Sequence, residues 1–344
     1  MTTEAKLFHE FKTSIVCWSY HAPTRLLVMC AANDLVWVGQ LKPDSTEVLH
    51  EYSFFLAEKG QRETISVDFD LYEVKAGVVR MALSNYDSAS HIIDVHLPEP
   101  KAEGAITVTR RPIPFGGNYG LIFNRTIPTD KYIILIGEDL RIYNSTLPEG
   151  KDPALLAKFE ADYLGVESFK VGELDGDTLY VSSHEGKLFR IDLTPKVGKS
   201  GKQLKPKAKL VEGVYADAFK LFHGFLIASN HKAHTVTVST LAAPEKVLAT
   251  YDVIAADMKA EYPYPSIGAS AEYVTFPATP TVTAFLRLEE GKLVRHDYEV
   301  PSTPAPLFIN KGLLTAYFKT PPAGVTVSEI PELNCYTDVR LYPF

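Results

Sequence analysis

The sequence predicts an all-β fold, a closed ring of seven four-stranded units in a single domain. Three observations carry that expectation: an alternating segment recurs seven times at near-constant spacing, a more apolar run precedes each copy, and the composition suits turn-rich sheets. The 344 residues include 18 Tyr, 18 Phe, 23 Pro and 21 Gly. Aromatic side chains suit a pleated, half-buried surface, and Pro and Gly supply the turns between strands. Apolar residues make up 46% and charged residues 22%, so a folded chain with a sizeable core is expected, not a disordered one.

The recurring segments are LVWVGQL from Leu35, HIIDVHL from His91, LRIYNSTL from Leu140, KLFRIDL from Lys187, TVTVSTL from Thr235, TVTAFLRL from Thr281 and TDVRLYPF from Thr337. Their starts lie 56, 49, 47, 48, 46 and 56 residues apart. Ahead of them come RLLVMCAAN, GVVRMALSN, KYIILIGED, DTLYVSSHEG, GFLIASNHK, SIGASAEYVTF and GLLTAYFK. Near-continuous apolar runs bounded by Gly, Asn or Asp are what strands buried on both faces look like. Half-polar runs such as SIVCWSYHAP, ISVDFDLYEV, YGLIFNRTIP, ESFKVGELDG and ADAFKLFHG come earlier still. A fourth segment follows in most repeats: EVLHEYSF, AITVTRR, ALLAKFEA, KAKLVEGV, KVLATYDV and KLVRHDYEV. Four strands, a to d, in about 40 to 50 residues form one blade of a β-propeller. A blade with two apolar faces is buried only by stacking against its neighbours.

The seven blades are expected at 13–54, 62–111, 118–161, 165–214, 215–253, 257–300 and 304–344. The seventh lacks a fourth strand. AKLFHEF, residues 5–11, repeats the pattern of EVLHEY, ALLAKF and KVLATY, so it is expected to pair with 337–344 and close the ring. A second parse takes VTVSEIP as the c strand and CYTDVRLYPF as the d strand. Two stretches stay open: 154–164 also fits a short helix, with Leu155, Phe159 and Tyr163 at i, i+4 and i+8, and 255–270 matches the repeat poorly.

SSHEGKLFRIDL and SIVCWSYHAPTRLLVMCAANDLVWVGQL resemble WD40 repeats, in which a turn precedes a c strand ending near a Trp-Asp pair. Ile191-Asp192 and Leu341-Tyr342 stand where that pair would fall. FHEFKTSIVCWSY and the irregular insertion TPPAGVTVSEIPELNCY make the chain similar to the seven-bladed mitotic-checkpoint propeller that binds Bub-type kinases, and to its mRNA-export relative. That resemblance implies a non-enzymatic scaffold binding a peptide of a larger partner in a kinetochore or spindle-checkpoint complex. A propeller subunit of an mRNA-export, coat or transport complex is the alternative. Either would be a monomeric propeller within a hetero-complex, in nucleus or cytoplasm.

Charge and site residues refine these expectations. Thirty-five basic and 42 acidic residues leave a net charge of −7, which argues against nucleic-acid binding by the chain as a whole. KVGKSGKQLKPKAK, Lys196 to Lys209, departs from that average with six lysines in fourteen residues. Its Lys205, Lys207 and Lys209 are candidate contacts for an acidic or phosphorylated peptide. A solvated loop is the plainer reading, and the absence of interleaved aromatic residues argues against stacked bases. Tyr262 and Tyr264, each followed by Pro, are candidate interface anchors, as is Trp37, although packing between blades is the expected role of Trp18 and Trp37.

No cofactor or metal is expected. His231 and His234, with His184 and His223, lack the three or four converging ligands that zinc needs. Asp68, Asp70, Glu167, Asp217 and Glu272 could line a channel as a metal-dependent hydrolase or lactonase requires, and this is the rival enzymatic reading. No nucleophile triad, phosphate loop or dinucleotide fingerprint accompanies them. Cys17, Cys30 and Cys335 are odd in number and far apart, suiting a reducing compartment. MTTEAKLFHEFK has neither a basic nor an apolar leader region, and no run of about 18 apolar residues occurs, so no membrane span is expected.

Overall fold

A computed structural model describes residues 5–31, 34–56, 68–83, 91–98, 104–112, 123–145, 154–197, 203–253, 267–270, 272–279, 281–299, 307–310, 312–326 and 335–343. The fold is an all-β seven-bladed propeller. The chain divides into two compact units, 2–135 with 143–154 and 307–344, and 136–142 with 155–306.

Within the first unit, one sheet runs Ile15–His21, Leu26–Ala31, Leu35–Leu41, Val48–Phe55. A second runs Tyr72–Lys75, Val78–Leu83, His91–His96, Thr107–Pro112. The b strands Leu26–Ala31 and Val78–Leu83 are buried at every position, because each of their two faces meets a different neighbour. Leu26, Val28 and Cys30 with Val36 and Val38 pack against Val79, Met81, Ile93 and Val95 of the second sheet. The alternate residues Leu27, Met29 and Trp37 pack the other way, onto Ile309, Leu314 and Val339. A strand covered on both sides cannot alternate with polar residues, and RLLVMCAAN does not. Cys17 and Cys30 are cross-strand partners, and neither is in a disulfide.

The sheet that closes this unit runs Leu307–Ile309, Gly312–Lys319, Tyr336–Pro343, Lys6–Phe11. Lys6–Phe11 pairs antiparallel with Tyr336–Pro343, from Lys6 opposite Leu341 to Phe11 opposite Thr337, with an irregularity between Leu7 and His9. The Thr337 hydroxyl locks the join, donating to the Thr13 carbonyl at 3.0 Å and accepting from Ile15 N–H at 3.1 Å. TDVRLYPF is thus a c strand and AKLFHEF its d strand; the second parse is overturned, because Tyr336–Pro343 lies between Gly312–Lys319 and Lys6–Phe11.

Within the second unit, three sheets repeat the plan. They run Phe169–Asp175, Thr178–Ser183, Lys187–Asp192, Ala208–Tyr215; then Ala218–Phe222, Phe225–Asn230, Thr235–Thr240, Ala243–Asp252; then Gly268–Ala269, Tyr273–Thr279, Val282–Glu289, Lys292–Tyr298. Tyr180 and Leu188 pack on Phe219, Leu226 and Ala228, and Ile227, Val236 and Val238 on Val274, Phe276 and Leu286.

The remaining sheet runs Leu155–Glu160, Asp139–Asn144, Tyr132–Gly137, Phe123–Pro128, Asp68–Phe69, and it departs from the sequence reading at its last strand. ISVDFDLYEV does not form one a strand: Asp68–Phe69 pairs parallel with Arg125 and Thr126, while Tyr72–Lys75 stays in its own sheet. Arg125 donates two bonds to the Asp70 carboxylate at 2.8 and 3.0 Å, and Phe69 is buried beside Met81 and Val79. At 154–164, which stayed open between strand and helix, Leu155–Glu160 is the fourth strand, followed by a single 3-10 turn, Asp162–Leu164, closed by Gly165 in the left-handed region. A helix would have needed a core under Leu155 and Tyr163, and both are exposed.

Of the poorly matching 255–270, residues 267–270 lie within the described chain, and there Gly268–Ala269 pairs with Val274 and Thr275. Among the described residues no helix is long and apolar enough to cross a membrane.

Candidate cationic groove on the fourth blade

The c strand Lys187–Asp192 alternates, and its two faces have different fates. Phe189 and Ile191 turn one way; Leu188, Arg190 and Asp192 turn the other. Leu188 is fully buried against Phe219 and Leu226 of the next sheet. Two residues further the same face carries a guanidinium. The d strand Ala208–Tyr215 pairs beside it, Arg190 opposite Lys209 and Ile191 opposite Ala208. Lys205, Lys207 and Lys209 then fall on the face that Arg190 and Asp192 share.

The connection between these strands carries its own ladder, Lys196–Val197 against Gln203–Leu204. This differs from an unstructured solvated loop at those four residues. The ladder returns the chain so that Lys196, Lys205, Lys207 and Lys209 border one depression of about 600 Å³, also lined by Arg190, Asp192, Thr194 and Pro206. Its single carboxylate, Asp192, accepts from Lys196 Nζ at 2.7 Å and from Thr194 N–H at 3.0 Å. Those bonds hold the Asp192 carboxyl well below the usual carboxylate range, so it stays ionised and satisfied. Arg190, Lys205, Lys207 and Lys209 have no carboxylate at ion-pair distance among the described residues. In a chain of net charge −7, the sign of the local potential is reversed.

The other sequence candidates fall elsewhere. Trp37 is 3% exposed, and its indole N–H donates to Glu51 Oε2 at 3.1 Å. The ring sits 5.2 Å from His9 and 6.3 Å from Phe8, centroid to centroid, and lies over Gly39, where any Cβ would overlap it. It is a core residue of the first unit. Tyr262 and Tyr264 lie outside the described residues. His231 and His234 form a turn, closed by His234 N–H donating to the His231 carbonyl at 3.3 Å, with their rings 6.3 Å apart.

Asp217, 4% exposed, accepts from His231 N–H at 2.6 Å and from the Tyr215 hydroxyl at 3.2 Å. Burial pushes the nearby Lys170 amine down to about 8, with the Asp217 charge opposing that shift. His184 is lowered by burial and by Lys170. Asp70 is the partner of Arg125, and Glu167 and Glu272 are exposed. Among the described residues no group of three His, Cys, Asp or Glu side chains is placed to hold a metal ion. A second depression of about 440 Å³, bordered by Asp252, Arg295, Asp297 and Glu299, is net acidic, its one cation, Arg295, binding Asp297 at 2.8 and 3.0 Å.

Sequence reading found the lysines of the groove but missed Arg190 and Asp192. The signal was present in KLFRIDL, whose alternation places Arg190 and Asp192 on the face of Leu188; what was absent was any sign that this face emerges from the core beside the lysines.

Comparison with solved structures settles the architecture. The chain is similar to the crystal structure of RRP9 WD40 repeats, with a TM-score of 0.61 over 99% of this chain and 97% of that one, at 10% identity. The fold is that of a WD40 propeller. The structure of U3-55K matches with a TM-score of 0.60 at 10% identity, over 99% and 98% of the two chains. The Cps50 (Swd1) β-propeller domain of Myceliophteria thermophila matches at 0.55 and 10% identity, over 98% and 99%. No protein family and no curated protein matches the sequence. At such identity the WD40 likeness speaks for the fold alone, and function has to be argued from the groove.

Proposed function

We propose that this WD40-type propeller is a non-enzymatic interaction scaffold whose fourth-blade groove docks an acidic peptide segment of a protein partner. The observation that carries this reading is the cluster of Arg190, Lys196, Lys205, Lys207 and Lys209 around the single carboxylate of Asp192. Four cations with no carboxylate partner among the described residues favour an anionic occupant. Because the groove is open to solvent, each ion pair contributes about 0.2–1 kcal/mol, so binding is moderate and weakens with salt. The groove lining carries no aromatic residue on which bases would stack, which favours peptide over single-stranded nucleic acid. Of the five carboxylates that a hydrolase would gather, Asp70 is a salt-bridge partner, Asp217 a buried acceptor, and Glu167 and Glu272 are exposed, which supports the scaffold over the enzyme.

The finer reading, a kinetochore or checkpoint scaffold in nucleus or cytoplasm, rests on the sequence resemblance, and FHEFK already has a structural task in closing the ring. The proposal is tested by fluorescence anisotropy with a labelled glutamate-rich peptide, using the full chain and a Lys205→Ala/Lys207→Ala/Lys209→Ala variant. Loss of three such pairs is expected to weaken binding by about tenfold. Equal binding by both proteins, or none by either, overturns it. Affinity capture from mitotic cells without kinetochore or checkpoint partners would remove the finer reading.

A further inference from the structure

We infer that the groove reads its occupant by spacing, taking an extended peptide with anionic side chains at every second position. This rests on the acidic-peptide reading above and adds to it a selection rule. Lys205, Lys207 and Lys209 all border the same depression, and extended backbone flanks the segment on both sides, Gln203–Leu204 before it and Ala208–Tyr215, which holds Lys209, after it. Lys205 precedes Pro206, which pushes it away from the helical region toward extended conformations, and Pro206 has its own φ fixed; from Ala208 the chain is a β-strand. In extended backbone, alternate residues stand about 6–7 Å apart. A partner in extended conformation repeats its side chains at the same interval, so three anions at i, i+2 and i+4 meet three ammonium groups in step. Three adjacent anions would point alternately toward and away from the groove.

Two further features bear on the rule. Arg190 lies directly opposite Lys209 in the ladder, and like charges facing each other across strands repel; an anion between them relieves that repulsion, making this end of the groove the strongest subsite. Asp192, held by Lys196 and Thr194, sits one alternate position beyond Arg190 on the same face. Its charge is already matched by Lys196, so it does not take up Lys205, Lys207 or Lys209.

The test uses the full chain and three labelled seven-residue peptides of equal charge, Glu-Ala-Glu-Ala-Glu-Ala-Ala, Glu-Glu-Glu-Ala-Ala-Ala-Ala and Glu-Ala-Ala-Glu-Ala-Ala-Glu, plus a ten-nucleotide oligouridine, at fixed low salt. The alternating peptide is expected to bind about five- to tenfold more tightly than the contiguous one, an advantage equal to one or two surface ion pairs. Lys207→Ala, which removes the central exposed ammonium, is expected to shrink that advantage to less than about twofold without changing the urea midpoint. Equal affinity for all three peptides overturns the spacing rule and leaves the acidic-peptide reading standing. Oligouridine binding with no peptide binding, or no binding at all, overturns both.

Discussion

Phe11→Ala tests the closure of the propeller directly. Phe11 ends the strand Lys6–Phe11, is 3% exposed, and packs in a cluster with Ile15, Trp37, Val339 and Leu341. Removing a buried phenyl ring costs the transfer of its surface to water plus the cavity left behind, together about 3–5 kcal/mol. Fraying would add the loss of the His9 contact with Trp37, about 0.5–1.5 kcal/mol for an aromatic pair. Folded domains are stable by only about 5–15 kcal/mol, so a large share would go. The assay is urea unfolding followed by tryptophan emission. The chain has two tryptophans, Trp18 and Trp37, and both belong to this cluster, so the signal reports on the closure itself. With an m-value of about 3 kcal/mol/M, a loss of 4 kcal/mol lowers the midpoint by about 1.3 M. Leu7→Ala, on the same strand but 62% exposed, is expected to shift it by less than about 0.2 M. If the two variants shift the midpoint equally, Lys6–Phe11 does not close the ring.

Further outcomes follow from the first unit. Asp94 is held by Arg80 through two bonds of 2.6 and 2.9 Å and by Arg111 at 3.3 Å; Asp94→Ala leaves a buried guanidinium uncompensated, is expected to cost about 3–5 kcal/mol, and is checked by thermal unfolding against Arg80→Met/Asp94→Leu, which should recover most of the loss. Burial lowers the His9 pKa, with the Glu51 charge opposing, so the unfolded chain takes up the proton first. His9 therefore contributes stability that is present above its unfolded value of about 6.5 and is lost as pH falls through the lower folded value. Urea midpoints at pH 7.5 and 5.5 should show this fall, and His9→Gln should flatten it, apart from the same-signed contributions of His21 and His184.

The parts of this fold legible in the sequence were those written in local periodicity. All seven alternating segments proved to be c strands, and AKLFHEF was recognisable because an outer strand has the same half-exposed pattern wherever in the chain it occurs. The groove was half legible: a lysine-rich segment is visible as composition, whereas Arg190 joins it only through a register that pairs it with Lys209. Trp37 illustrates the converse, since nothing in LVWVGQL distinguishes an indole facing a partner from one folded over Gly39 and bonded to Glu51.

By itself, then, the amino-acid pattern determined the repeat, the four-strand blade, the strand pairing that closes it and the position of the cationic segment. The tertiary structure alone decided that Asp68–Phe69 joins a sheet begun at Phe123, that 155–160 is a strand, and that Arg190 and Asp192 border the lysines. The reason is physical. Periodicity records whether a face is covered, because covering selects for apolar side chains. Which surface covers it, and which charges meet beside it, depends on contacts such as Arg125 with Asp70, 55 residues apart, whose energy exists only once the blades have stacked.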